Sequence, residues 1–139
     1  MREELIGRAR AMKQSLQERA AEVESARVIG LDTMSDFRDA GFFKILQPKE
    51  YGGYELPPEV LTEVIFEFAS AFGSSGWTLA VLALHQWEVK HLPEKGIEEI
   101  WGTDTSVLLS SAYAPTGQVA PTDGGYLLTG EWPYSSGCD

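Results

Sequence analysis

Gly130-Glu131-Trp132-Pro133-Tyr134-Ser135-Ser136-Gly137-Cys138-Asp139 decides how this chain is to be read. Aromatics followed by a hydroxyl pair and a glycine predict a strand that delivers Ser135 and Ser136 into a turn. Just upstream, Asp123-Gly124-Gly125 is a hairpin signal, so 126–129 and 132–135 are expected as strands of one sheet. A sheet that breaks off after two or three strands leaves open edges and a half-covered apolar face. The chain is therefore expected to be the front part of a larger protein.

Working back from the hairpin, Val107-Leu108-Leu109-Ser110-Ser111-Ala112 predicts an earlier strand, followed by a turn at Ala114-Pro115-Thr116-Gly117. Everything before it reads as helix. Leu5, Ala9, Met12, Leu16, Ala20 and Val23 recur at three- and four-residue steps, which predicts one apolar stripe on a helix of about six turns. A short second helix begins near Asp32 or Thr33, either of which can cap it, and stops at Gly41. After the cluster Phe42, Phe43, Ile45, Leu46, the adjacent Gly52 and Gly53 mark a backbone excursion. Pro57-Pro58 opens a third helix, burying Leu61, Ile65, Phe68 and Phe72. Ser74 or Ser75 can cap a fourth, apolar nearly all round and expected to be central. Pro93 begins a fifth, with Ile97, Ile100 and Trp101 inward and Gly102 as its stop. The expected fold is mainly α, with a five-helix domain over 1–102 and the start of a truncated β domain over 103–139.

Composition narrows the function. The 139 residues carry 11 basic and 21 acidic side chains, a net charge of −10, with no Lys/Arg run to attract a phosphate backbone or an anionic membrane. Hydrophobic residues make up 43% of the chain, too many for a disordered tail. Cys138 is the single cysteine, so no internal disulfide can form, and no Asn is available for N-glycosylation. With neither a signal-peptide core nor a long apolar run, a cytoplasmic protein is expected, without nucleic-acid or membrane partners.

Few residues suggest chemistry by pattern alone. His85 and His91 lie about 240° apart round a helix and cannot share a metal from it. His85 and Glu88 share a face, but a carboxylate-bridged metal bundle needs a second such pair, and none exists. No metal site is expected. Phosphate-loop, dinucleotide-fingerprint and nucleophile-elbow patterns are all absent. Cys138 has no basic neighbour to activate it. The pairs Ser110-Ser111 and Ser135-Ser136 fall at predicted strand ends, where they serve either a polar ligand edge or turn chemistry. His85 is either a satisfied core residue or a ligand.

Gly41-Phe42-Phe43 leading to Pro48-Lys49-Glu50-Tyr51-Gly52-Gly53, with the later Trp132-Pro133-Tyr134-Ser135-Ser136-Gly137, resembles the acyl-CoA dehydrogenase superfamily over essentially the whole chain. In Gly76-Trp77, His85-Gln86-Trp87 and 110–117 it is similar to one branch, the two-component flavin-dependent monooxygenases that hydroxylate phenols. Dehydrogenases of this superfamily usually carry a Thr-Glu pair where Ala112-Tyr113 stands, and a Lys-x-Trp-Ile-Thr segment where this chain has Trp132 and Tyr134-Ser135-Ser136.

The resemblance implies a reduced flavin, FAD or FMN, delivered by a separate reductase. It implies O2 and an aromatic small molecule as co-substrates, reacting through a C4a-hydroperoxyflavin, and a homo-oligomeric parent, a tetramer. It places Ser110, Ser111, Ala112, Gly117, Tyr134, Ser135 and Ser136 at the flavin and gives Ser136 and His85 catalytic roles. His85, Ser111 and Trp77 would touch substrate, while Trp87 and Trp132 add aromatic walls. The alternatives are an acyl-CoA dehydrogenase oxidising an acyl thioester, or a non-catalytic helical interaction domain. On this reading the 139 residues alone bind flavin weakly and do not turn over.

Overall fold

The computed structural model describes residues 1–138. Five helices come first: α1 (Arg2–Ala26), α2 (Leu31–Asp39), α3 (Pro58–Ala71), α4 (Gly73–Glu88) and α5 (Glu94–Trp101). An antiparallel hairpin, β1 (Gln118–Thr122) and β2 (Gly125–Thr129), closes the order. The mainly helical architecture with strands beginning near the end is the one expected.

The three-and-four spacing on α1 does what it predicts: Leu5, Ala9, Leu16 and Val23 are buried, and Ile6 joins them. The stripe lies against α3, which contributes Val60, Leu61, Val64 and Phe68, and α3 in turn lies against α4. Ile65 and Phe72 are only partly buried, so the inward face of α3 is rotated from the one expected. Phe72 serves as the single extended residue between α3 and α4, with φ −154°. That corner starts α4 at Gly73, so Ser74 and Ser75 fall inside the first turn and neither caps it. Gly30, likewise, stands at the cap of α2 in place of Asp32 or Thr33.

Between α2 and α3 the two-glycine excursion has a mechanical basis. Tyr54, Glu55 and Leu56 donate backbone hydrogen bonds to the carbonyls of Lys44, Gln47 and Ile45, at 2.7, 3.0 and 2.8 Å. The chain must fold back tightly to make this clasp. Gly52 turns it with φ 84°, and a Cβ on Gly53 would collide with the Gln47 carbonyl oxygen. The clasp presses Phe42, Phe43, Ile45 and Leu46 into the core.

Three expectations fail in instructive ways. α4 buries Leu79, Leu82, Ala83 and His85 yet leaves Trp77, Leu84 and Trp87 exposed, so one flank of this apolar helix is uncovered. In α5 only Trp101 is buried; Ile97 and Ile100 are half-covered. The strands expected at 107–112 and 132–135 do not form; instead β2 pairs back on β1, with Val119 opposite Leu128 and Pro121 opposite Tyr126. A strand exists only where a neighbour takes its backbone hydrogen bonds, and these two segments are held by side chains instead.

Candidate active site

α4 positions the site. Trp77, Val81, His85 and Glu88 follow one another at four-, four- and three-residue steps, so they form a strip along one flank. The two irregular segments, 107–117 and 131–138, run beside that strip. Ser110 ties them together: its hydroxyl lies 3.0 Å from the Ser135 carbonyl, 3.1 Å from the Ser136 carbonyl and 2.7 Å from the Ser135 hydroxyl.

At one end of the strip, the Trp77 indole N–H donates to Ser136 Oγ at 3.1 Å. Gly137 follows with φ 85°, and a Cβ there would stand 2.7 Å from the Leu82 side chain. Glycine at 137 therefore lets the serine turn approach α4. Ser136, Gly137, Trp77 and Leu82 border a cleft of about 570 Å³ whose opposite wall is Val23, Val28, Ile29 and Met34. That is the size of an ordinary small-molecule pocket.

In the middle of the strip His85 is 3% exposed, and both its ring nitrogens are engaged at 2.5 Å, Nδ1 with the Val81 carbonyl and Nε2 with Ser111 Oγ. A carbonyl only accepts, so Nδ1 carries a proton. In the neutral tautomer that this contact selects, Nε2 is the acceptor and the Ser111 hydroxyl donates to it. Beyond Ser111, Glu88 places Oε2 at 3.7 Å from His85 Nε2 and accepts the Tyr113 hydroxyl on Oε1 at 2.6 Å. The Tyr113 ring lies nearly parallel to the imidazole, with centroids 6.0 Å apart at 22°.

The Glu88 hydrogen bond and charge, with some desolvation, hold the Tyr113 phenol above its ordinary pKa of 10.0. A group whose folded pKa is raised favours the folded state below its unfolded pKa and loses that contribution as pH climbs through the folded value. Tyr113 is therefore expected to ionise later than a free tyrosine in an ultraviolet titration at 295 nm. Replacing Glu88 by Ala removes both the acceptor and the charge and brings that ionisation back toward 10.0. An unchanged Tyr113 midpoint in Glu88→Ala would mean that the contact does not persist in solution.

The residues expected at the site divide clearly. Ser110, Ser135, Ser136 and Trp77 gather at one end of the strip, with Ser111 and His85 further along it. Ala112 is half-buried beside them, and Gly117 lies under Trp132, where a Cβ would stand 2.5 Å from Cζ2. Tyr134 is apart, 92% exposed with φ 61°. Of the three expected aromatic walls, only Trp77 lines the cleft; Trp132 covers Gly117 and Gly130, and Trp87 packs edge-on against His91 at 4.4 Å. Glu88 and Tyr113 were missed as a pair. The His85-Glu88 spacing pointed to the first, while no local signal could mark the second.

This fold, with hydroxyl-bearing segments laid along α4, is that of the acyl-CoA dehydrogenases. The family model for the acyl-CoA dehydrogenase N-terminal domain matches residues 3–101, and the chain belongs to that family. Among curated relatives, it is 41% identical over 129 residues to the flavin-dependent monooxygenase oxygenase subunit HsaA of Rhodococcus jostii (strain RHA1), covering 93% of this chain and 34% of that protein. It is 32% identical over 135 residues to the FADH(2)-dependent resorcinol hydroxylase, oxygenase component, of Rhizobium sp. (strain MTP-10005), covering 97% of this chain and 33% of that one. The crystal structure of 3-HSA hydroxylase from Rhodococcus sp. RHA1 superposes with a TM-score of 0.93 at 40% identity, over 97% of this chain and 35% of that structure. The chain thus spans about a third of the length of the curated relatives it matches.

Proposed function

We propose that the chain forms one wall of the active site in the oxygenase component of a two-component flavin-dependent monooxygenase acting on a phenolic aromatic. Residues 1–102 act as its helical domain and 103–139 as the opening of its β domain. The observation that carries the reading is the buried His85, whose Nε2 is an acceptor facing the Ser111 hydroxyl, on the same helix flank as Ser136. The names of the relatives, oxygenase subunit and oxygenase component, support a reductase as a separate partner.

The residues fit a flavin ring. Ser110, Ser135 and Ser136 share hydrogen bonds among themselves and can redirect a hydroxyl to a ligand, and the adjoining cleft has room for an aromatic body. Reduced flavin, FAD or FMN, supplies the activation of dioxygen when bound. This chain's own part is to orient and to hold a proton. Ser136 Oγ offers a directed hydrogen bond at the ring. His85 Nε2 accepts the proton of a substrate phenol, with Ser111 as the second group on that oxygen. Trp77 and Leu82 keep the cleft apolar and displace water.

The test is a graft. Residues 1–138 replace the matching third of the Rhodococcus jostii oxygenase subunit, and the folded chimaera receives reduced flavin, O2 and a phenol such as resorcinol. Oxygen-dependent formation of a hydroxylated product is expected. A chimaera that folds and binds flavin but oxidises an acyl thioester, leaving phenols untouched, would place the chain with the dehydrogenases instead.

A further inference from the structure

We propose that Tyr113, latched to Glu88, is a movable aromatic cover over the His85–Ser111 pair, which an incoming aromatic ligand must displace. The inference rests on the reading of His85 and Ser111 as the substrate end of the site, and it names the residue that controls access to them.

Three observations carry it. His85 is 3% exposed, at the border between the buried face of α4 and its exposed flank, and the segment carrying Ser111 lies against it. The Tyr113 ring stands beside it, nearly parallel to the imidazole at 6.0 Å. Two rings at that spacing leave no room for a third between them, since a stacked ring needs about 3.5–4 Å on each face. A ligand ring reaching His85 from this side therefore has to move Tyr113.

Second, the Tyr113 side chain is 69% exposed, so it can swing outward about its own bonds while the hydrogen bonds of Ser110 and Ser111 keep the backbone in place. A side-chain rotation at the surface has a low cost. Third, what keeps it closed is specific. Its hydroxyl donates to Glu88 Oε1 at 2.6 Å, while the same carboxylate places its other oxygen 3.7 Å from His85 Nε2. One helix residue thus senses both the cover and the group beneath it. Displacing Tyr113 frees Glu88 to accept a donor from the ligand at the His85–Ser111 pair.

The experiment measures carbethoxylation of the two histidines by diethyl pyrocarbonate in the full chain, resolved by peptide mass spectrometry. Exposed His91 is the internal reference. In the unaltered chain His91 reacts first and His85 slowly. Tyr113→Ala is expected to raise the His85 rate relative to His91 by about tenfold, the size of an effect set by local opening. Tyr113→Phe and Glu88→Ala keep the ring but break the latch, giving a smaller rise. Glu88→Gln retains an acceptor and restores protection. An unchanged ratio in Tyr113→Ala overturns the cover, and so does a Glu88→Gln chain as unprotected as Glu88→Ala. Should Tyr113→Ala loosen the whole fold, both histidines accelerate together. The Tyr113→Phe and Glu88 pair then decides, since the ring stays in place. Neither flavin nor oxygen is present, so failure here removes the cover without touching the oxygenase reading. A graft that folds but hydroxylates nothing has the opposite effect.

Discussion

Phe68→Ala is expected to cost about 3–5 kcal/mol of folding stability, the range for a large buried aromatic cut to a methyl. Phe68 is fully buried on α3, where the helix faces α1 on one side and α4 on the other. Its ring stacks on Phe37 at 4.9 Å and 22°, and meets Phe42 edge-on at 5.1 Å and 84°. Phe37 itself touches Phe42 and Phe43 edge-on at 6.2 and 6.3 Å. Removing Phe68 therefore breaks two ring contacts, worth roughly 0.5–1.5 kcal/mol each beyond area burial, and opens a void between three helices and the clasp. A domain stabilised by about 5–15 kcal/mol loses a large fraction of its margin. Urea unfolding followed by circular dichroism is the check: the midpoint drops while the slope holds. A loss below about 1 kcal/mol would mean that the aromatic cluster is not the centre of the core.

His85→Ala in the grafted oxygenase is expected to lower kcat/KM for a phenol by about a hundredfold, the lower end of what a positioned acid–base group contributes. The physical case is the tautomer. The Val81 carbonyl pins a proton on Nδ1, which leaves Nε2 as the acceptor where the Ser111 hydroxyl now sits. A purely structural histidine would behave differently. Its removal would leave the Ser111 hydroxyl without its partner and open a small void beside α4, at about 1–3 kcal/mol of stability, and would not touch turnover per folded molecule. Thermal unfolding and steady-state kinetics on the same samples separate the two. Ser111→Ala should reproduce part of the kinetic loss and little of the stability loss, because Ser111 is only half-buried. Full turnover by a folded His85→Ala enzyme would remove His85 from the reaction.

The helical part was legible because its signals are local. The apolar stripe of α1, Pro58 at the start of α3 and Gly102 after α5 each act within a turn or two of chain. The exceptions arise where one helix ends on another. Ser74 looks like a cap until α3 and α4 are seen to share the single residue Phe72. The β segments were read less well. Asp123-Gly124-Gly125 did mark a hairpin, but its partner strand is Gln118–Thr122, and 132–135 stays irregular, with Pro133 lacking an N–H to give to a ladder. Likewise, the hydroxyl pairs were recognised as a polar edge or as turns, and they are partly both, because Ser110 bonds the very turn that carries Ser135 and Ser136.

By itself the sequence determined that this is a helical domain of the acyl-CoA dehydrogenase family and that hydroxyls and a histidine are its polar resources, because residue spacing and motif identity are properties of the chain. Only the tertiary structure decided which of them meet. Ser111 lies 26 positions from His85, Ser136 lies 59 from Trp77, and Tyr113 lies 25 from Glu88. Contacts over such separations depend on how two irregular segments lie along one helix, and no local propensity encodes that path. The same holds for the wall that α1 lends to the cleft: Val23 belongs to an ordinary apolar stripe until α4 is placed opposite it.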